Sequence, residues 1–381
     1  MGIKQLGQFL HKKCPSVYTE IDLKDYKFRK IAIDTSNYMY KYKAACGDRW
    51  LSAFINLVIC LRKNNIHCVF VYDGKAPDEK TGEKKKRSRR RKDLKDGVKA
   101  LEDSIKNFLE NEVVDQKLID ICAKKAPKRL LSDDKSSIIN LDVLYAELNK
   151  KKKQIITIKS DDFDKTKELF SIMKVPWIQA PGEAETLCSY LCVCGEVDAV
   201  LSEDTDVLAY GSPIFLNKMD TMKEKCLEAK YDNVLTGLEY TDKQFLDFCI
   251  MCGTDYNDNI PGVGPMNAYK LIKQYDSIDG IKEACEDTRI KLLMKCKNNF
   301  DILHYEKVRE MFRDFDDFDY KVKYCGRPDM ETLKQFLSDN GCYEVRIKRL
   351  EEAYKPNIII EESSDEEIEI EIESDNEMTV E

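Results

Sequence analysis

The chain has 381 residues, 43% hydrophobic and 35% charged, with a formal net charge of −8, and this length and apolar content fit a globular protein of two or three domains. Residues Glu361 to Glu381 hold eleven acids and no Lys or Arg, so the body alone is mildly basic at +3, which suits a polyanion partner. Its fifteen cysteines are odd in number, scattered in apolar runs and preceded by no secretory signal pattern, which excludes a disulfide framework in favour of reduced, buried thiols; no run approaches the ~18 apolar residues of a membrane span, so a soluble, intracellular protein is expected.

In chain order, strands are predicted over Lys30 to Asp34 (KIAID) and Cys68 to Asp73 (CVFVYD), each a continuous apolar run closed by an acid. A dense basic run from Lys75 to Lys99 follows, and periodic apolar positions then continue to about Asn149, which reads as an inserted helical region. Gln154 to Ile158 (QIITI) is a weaker strand candidate. Ala180 to Leu191 (APGEAETLCSYL) opens on a Pro-Gly turn and passes into a helix. Val197 to Asp204 (VDAVLSED) is the third acid-ended strand, and Pro213 to Leu216 (PIFL) a further weak one. At Thr241 (TDKQFLDFCIMCG) apolar residues at helical spacing follow a Thr-Asp start, which opens a helix-rich region reaching Pro356. The tail beyond is acidic, of low complexity and expected to be disordered. Acid-ended strands alternating with helices imply a mostly parallel sheet covered on both faces, an α/β core. Cys188, Cys192 and Cys194 lack a second Cys or His pair nearby and read as helix packing rather than zinc ligands.

Ligands of an open α/β sheet bind beyond the carboxyl ends of its strands, so Asp34, Asp73, Asp204 and Asp206 converge on one crevice. Crowded carboxylates repel each other unless cations compensate them, which favours hard, oxygen-liganded Mg²⁺ or Mn²⁺. For a single such Asp, a turn or helix cap is the ordinary role; three strand ends together weaken that reading. Glu183 and Glu185 fall in the first turn of a helix, where dipole and ligand roles are both open. In a regular helix of ~3.6 residues per turn they point about 200° apart, so one shared site needs an irregular helix start or two ions. Asp255 lies in a loop after a helix, where an Asx-turn is the default. Gly262-Val263-Gly264-Pro265 before an apolar helix is either an ordinary helix–helix turn or a phosphate-binding one.

Taken together, these segments resemble the flap endonuclease and xeroderma-group-G nuclease superfamily over most of the first 275 residues. The resemblance rests on Met1-Gly2-Ile3, IAIDTSNYMY around Asp34, VYDGKAP around Asp73, APGEAE at Glu183 and Glu185, SEDTD at Asp204 and Asp206, and CGTDY followed by IPGVGP. Matches around Phe318 to Tyr320 and Val345 to Leu350 are looser. The resemblance implies a 5′-nuclease (PIN-like) fold with a helical arch insertion and a helix–two-turn–helix subdomain. It also implies a phosphodiesterase using two Mg²⁺ ions, with Mn²⁺ able to substitute. Asp34, Asp73, Glu183 and Glu185 would serve one group of ligand positions, and Asp204, Asp206 and Asp255 the other. Lys80 and Arg87 align with two cationic catalytic residues at the base of the arch; their spacing of two helical turns allows one common face. Arg89, Arg90 and Arg91 would add phosphate contacts, although such a run also reads as a solvated face or a nuclear-import signal. Tyr40 aligns with an aromatic that stacks on a base, and Gly2 joins the DNA contacts. Gly262, Val263 and Gly264 would grip duplex phosphates, with K⁺ at the helix–two-turn–helix.

The implied substrate is branched DNA with a 5′ flap or 5′ end, cut in replication, repair or recombination within the nucleus or another DNA replication compartment, by a monomer. Holliday junctions, bubbles or RNA are alternative substrates, and a non-catalytic DNA-binding module is the remaining class. Three features depart from the family pattern. The segment between Asp34 and Asp73 is short where relatives carry a wedge loop for a 3′ flap, the stretch to Glu183 is long, and Met266 stands where relatives often have Lys. The tail has no sliding-clamp motif; it would serve a basic partner or mimic DNA over the basic groove. The expected regions are 1–91 (N-terminal nuclease), 92–160 (arch), 161–240 (internal nuclease), 241–356 (helix–two-turn–helix and C-terminal helices) and 357–381 (tail).

Overall fold

The computed structural model describes residues 2–75, 77–125, 139–286, 289–315, 319–342, 345, 347–354, 358–360 and 370–372. Its centre is a seven-stranded sheet of order β1-β7-β6-β5-β2-β3-β4. The strands are β1 (Tyr18–Asp22), β2 (Lys30–Asp34), β3 (His67–Tyr72), β4 (Trp177–Gln179), β5 (Ala199–Leu201), β6 (Ile214–Asp220) and β7 (Lys225–Lys230). From β6 through β5, β2 and β3 to β4 every pairing is parallel, and β7 and β1 add an antiparallel edge. The mostly parallel sheet expected from the sequence is therefore present.

Central strands must be apolar on both faces, and β2 and β3 are buried along almost their whole lengths. Ala32, Val69, Val71 and Val200 face a core shared with the N-terminal helix, the helix Ala184–Val193 and the C-terminal helices. Ile31, Ile33, Phe70 and Leu201 face the opposite core, under the helices Trp50–Lys63, Ser160–Ile172 and Met330–Asp339. The helix Asp242–Cys252 starts at Thr241, whose side chain accepts from Gln244 N while the Gln244 side chain answers to Thr241 N, a reciprocal cap readable in the sequence.

Two expectations are corrected. Gln154 to Ile158 is not a strand: the lysine-rich helix Leu141–Gln154 runs through its first residue, and the β3 edge is taken by β4. Ile155 and Ile158 instead anchor the chain's return, one against the insertion and one against the sheet core. The expected absence of any membrane-like stretch also fails by composition, because Thr35–Lys63 contains an 18-residue window of mean hydropathy 1.3. This segment is broken by a 3₁₀ turn at Gly47–Arg49, and Leu51, Phe54, Ile55 and Val58 pack against the sheet, so its apolarity is that of a core.

The inserted region is three helices, Thr81–Asn111, Gln116–Lys125 and Leu141–Gln154. Val98, Leu101, Ile105, Leu118, Cys122, Leu144 and Leu148 give it a core of its own. Its long first helix crosses the expected boundary at residue 91. In the tail, Ile358–Ile360 pairs antiparallel with Ile370–Ile372, where disorder was expected; β-branched residues favour extended backbone. The rest of the tail, Ala76 of the VYDGKAP motif, and Phe318 and Arg346 of the looser C-terminal matches lie outside the described residues. All fifteen cysteines are free thiols, and of the proposed trio Cys188 and Cys192 are buried while Cys194 is exposed.

Candidate active site

Each acid reaches the crevice for a local reason. Asp34 ends β2 and caps the helix Thr35–Cys46, accepting from Asn37 N at 3.0 Å, so the capping and site roles coincide. Ser202 Oγ lies 3.5 Å from Asp34 Oδ2 and also accepts from Asp204 N at 3.0 Å, joining two strand ends. Asp73 follows β3 and accepts from Ala184 N at 2.8 Å, which ties it to the first turn of the glutamate-bearing helix. Gly74 beside it makes this approach possible, since a Cβ there would stand 2.1 Å from Ala180 O.

Glu183 is the N-cap of Ala184–Val193, with extended backbone at φ −85° and ψ 144°. The helix therefore starts after Glu183, and both glutamates reach one ammonium: Lys80 Nζ is 2.5 Å from Glu183 Oε1 and 3.5 Å from Glu185 Oε1. Asp255 joins the same cluster, with its Oδ2 3.0 Å from Lys80 Nζ and 2.7 Å from the Arg87 guanidinium. The loop's own turn is made by its neighbours, Thr254 Oγ1 accepting from Tyr256 N and Asn257 Oδ1 from Thr254 N, so the default Asx-turn role of Asp255 is overturned. Lys80 sits in a 3₁₀ turn, Asp78–Lys80, just ahead of the long helix that carries Arg87.

Asp204 and Asp206 lie against the chain's beginning. Ile3 N donates to Asp206 Oδ1 at 2.8 Å, and Gly2, at φ +84°, packs so closely that a Cβ would fall 1.9 Å from Asp204 Oδ1. Asp34, Glu183, Glu185, Asp204, Asp206, Asp255 and Lys80 are all buried, whereas Asp73 is exposed. Burial, reinforced by the charge of Asp73, pushes the Asp34 carboxyl up to about 8. Burial likewise raises Glu185, Asp204 and Asp206, with Asp204 adding to the effect at Asp206. Burial works against the Lys80 ammonium, but the charges of Glu185, Glu183 and Asp255 override it and hold Lys80 far above the usual lysine range.

Tyr40 lines the same cavity of about 320 Å³ with Asp34, Asp73, Lys80, Lys84, Arg87, both glutamates, Asp204 and Asp255. Its hydroxyl accepts from Arg91 at 3.4 Å, while Arg89 and Arg90 are exposed on the long helix. Gly262, Val263 and Gly264 are not part of this cavity. Gly264 instead borders a hollow of about 370 Å³ shared with Gln8 and Lys12 of the N-terminal helix Leu6–Lys13 and with its N-cap Gln5. Sequence reasoning missed Ser202 and also Tyr256, whose hydroxyl donates to Glu183 Oε2 at 2.5 Å. Both lie inside motifs quoted for their acids, SEDTD and CGTDY, and neither carries a signal of its own.

Two family profiles match the chain, the XPG N-terminal domain over residues 1–94 and the XPG I-region over residues 174–255. The probable RAD2-like endonuclease 369L of Invertebrate iridescent virus 6 is 34% identical over 329 residues, 80% of this chain and 79% of that protein. Flap endonuclease 1 of Lodderomyces elongisporus is 30% identical over 379 residues, covering 94% and 88%. The chain belongs to the XPG and flap endonuclease family. Among solved structures, the catalytic core of Rad2 in complex with DNA substrate shares the fold at TM-score 0.63 and 17% identity, over 92% of this chain and 98% of that one. Flap endonuclease-1 from Methanococcus jannaschii aligns at TM-score 0.56 and 24% identity, over 88% and 95%. As a family member the chain is a structure-specific nuclease, a hydrolase whose activity depends on divalent metal.

The donor set fits that dependence. Six carboxylates line the cavity and Asp206 lies buried against Asp204; among the described residues Lys80 and Arg87 are the cations ion-paired with them, and all the acids' donor atoms are hard oxygens. Among the described residues no three acids close around one point at coordination distance, and the Lys80 ammonium lies between Glu183, Glu185 and Asp255.

Proposed function

We propose that this nuclease cuts DNA near 5′ ends, with 5′-flapped junctions as its main substrate and two Mg²⁺ ions as cofactors. The observation that carries the reading is the convergence of six carboxylates with two arch-base cations in one cavity, with Asp206 buried against Asp204 as the seventh. Pure DNA binding would not favour so much negative charge beside a phosphate. Relatives named Flap endonuclease 1 align over nearly the whole chain, which supports the flap.

In the reaction, Asp34, Asp73, Glu183 and Glu185 would hold one ion and Asp204, Asp206 and Asp255 the other. Bound there, the pair would acidify the attacking water and stabilise charge on the attacking and leaving oxygens. Lys80 and Arg87 turn from the carboxylates to the non-bridging oxygens of the scissile phosphate. Water oxygen bonds to phosphorus, the bond to O3′ breaks, and the products are a 3′-hydroxyl and a 5′-phosphate. Tyr40 stacks on a base beside the cut, a contact worth ~1 to 3 kcal/mol. Gly2, Arg89, Arg90 and Arg91 contact DNA, and Gly262, Val263 and Gly264 hold duplex phosphates with K⁺. The protein acts as a monomer in the nucleus or another DNA replication compartment, and the acidic tail serves a basic partner.

Holliday-junction cleavage is the second reading. Between Asp34 and Asp73 the helices Thr35–Cys46 and Trp50–Lys63 are joined by the short turn Gly47–Arg49, in place of a wedge loop. Cleavage of flap, nicked, junction, bubble and single-stranded RNA substrates, each with Mg²⁺ and with excess chelator, tests the proposal. Preference for the 5′ flap supports it, whereas preference for RNA or cutting in chelator overturns it.

A further inference from the structure

Three acid-bearing segments are joined behind the cavity by a chain of hydroxyl groups. Tyr256, next to Asp255, donates to Glu183 Oε2 at 2.5 Å. Its oxygen lies 2.7 Å from that of Tyr210, at the end of the short helix begun by Asp206. The Tyr210 hydroxyl is in turn hydrogen-bonded by the side chain of Thr186, on the helix that Glu183 caps. A phenol carries one proton, and Tyr256 spends its proton on the carboxylate. Its oxygen must therefore accept from Tyr210, whose oxygen accepts from Thr186. The bonds run one way, toward Glu183, and a chain with one direction strengthens each member.

Both rings are buried and held from the far side. Phe312 packs on Tyr210 at 4.6 Å between centroids and on Tyr256 at 5.5 Å. The neighbouring Arg313 bonds Ala209 O at 2.5 Å and Asp242 at 2.7 Å, which fixes the helix Tyr305–Arg313 against this corner. The phenols therefore cannot easily turn away, and Tyr256 occupies one oxygen of Glu183, Oε2, while the other, Oε1, faces Lys80 and the cavity.

We propose that Tyr256, backed by Tyr210, is a positioning residue that fixes the Glu183 carboxylate with Oε1 directed into the cavity, and so sets how tightly a divalent ion is held there. This rests on the reading of Glu183 as a metal ligand. Outer partners of ligating groups fix their orientation, and their loss weakens metal binding by about 10- to 100-fold.

The test is titration of the full-length protein with Mn²⁺, following free ion by electron paramagnetic resonance. Wild type, Tyr256→Phe, Tyr210→Phe, Glu183→Gln and the Tyr256→Phe/Glu183→Gln pair are compared. The Phe variants keep the rings on Phe312, and thermal unfolding checks their folding. Tyr256→Phe is expected to weaken the tighter Mn²⁺ event about tenfold, and Tyr210→Phe to weaken it less. In the Glu183→Gln background Tyr256→Phe should add almost nothing, since coupled residues are non-additive. Flap cleavage by Tyr256→Phe should recover toward wild type as Mg²⁺ is raised. Wild-type Mn²⁺ affinity in Tyr256→Phe, or an effect that simply adds to that of Glu183→Gln, overturns the inference. If Glu183→Gln itself binds Mn²⁺ as wild type does, the ligand reading fails first and the inference falls with it.

Discussion

Arg87 and Asp255 meet at 2.7 Å across the gap between the long arch helix and the loop after Asp242–Cys252. The same Asp255 oxygen is 3.0 Å from Lys80, so the arch base is tied to the body through the residues proposed to do chemistry. Arg87→Ala or Lys80→Ala should slow single-turnover flap cleavage by about 10² to 10³-fold, the usual loss when one stabilising donor is removed from a reacting centre. Flap affinity, read by fluorescence anisotropy, should change far less. Equal losses in binding and rate would make these cations DNA anchors only.

Lys80 is also the cation paired with all three of Glu183, Glu185 and Asp255. Removing one partner of a buried ion pair costs about 3 to 5 kcal/mol. In chelator, Lys80→Met should therefore unfold at a lower temperature than wild type. Adding Mg²⁺ should raise its Tm by more than it raises that of wild type, because the ions compensate a larger uncovered charge. A smaller Mg²⁺ response in the variant would contradict the charge argument.

Asp204 faces the cavity beside Asp206, which lies directly behind it, and Asp204 Oδ1 accepts from Asp206 N at 3.0 Å. Asp204→Ala should nearly abolish Mg²⁺-dependent cutting while leaving flap binding within a few fold. Full activity in this variant would remove Asp204 from the proposed metal set.

The chain's beginning is an equally tight fit. At Gly2 a Cβ would overlap Asp204 Oδ1, and φ of +84° is unfavourable for any other residue, at about 1 to 3 kcal/mol. Gly2→Ala should displace Ile3 N from Asp206 and slow cleavage more than it lowers Tm. Wild-type cleavage by Gly2→Ala would show that the contact is incidental.

What could be read in the sequence follows from which forces act locally. The strands β2 and β3 stand out because central strands need apolar residues on both faces, and their terminal acids follow. β1 at the sheet edge and β7 beside it, both with charged side chains, and β4, with only three residues, carry no such signal. Glu183 and Glu185 share a site because the helix starts after Glu183, and this start is tied to the Asp73 contact with Ala184 N, 111 residues away in sequence. Asp255 joined the set only through the family resemblance, since a loop aspartate shows nothing locally of the lysine it will meet. Tyr256 is invisible for the same reason: a buried tyrosine reads as packing until its hydroxyl partner is known.

The arch should behave as a separately cooperative unit. Leu101, Ile105, Leu118, Leu144 and Leu148 form a cluster distinct from both sheet cores, and the long helix reaches it from the arch base. Truncating a buried Leu to Ala costs about 2 to 5 kcal/mol, a large fraction of what so small a core can supply. Leu101→Ala should therefore open the three arch helices while the sheet stays folded. Amide hydrogen exchange should show faster exchange across Thr81–Asn111, Gln116–Lys125 and Leu141–Gln154 and unchanged protection in β2 and β3. Cleavage should fall with it, because Lys80 and Arg87 stand where the arch meets the body, and high Mg²⁺ should not restore the rate, since the lesion lies outside the carboxylate cluster. Loss of protection spreading equally into β2 and β3 would mean that arch and sheet unfold as one unit.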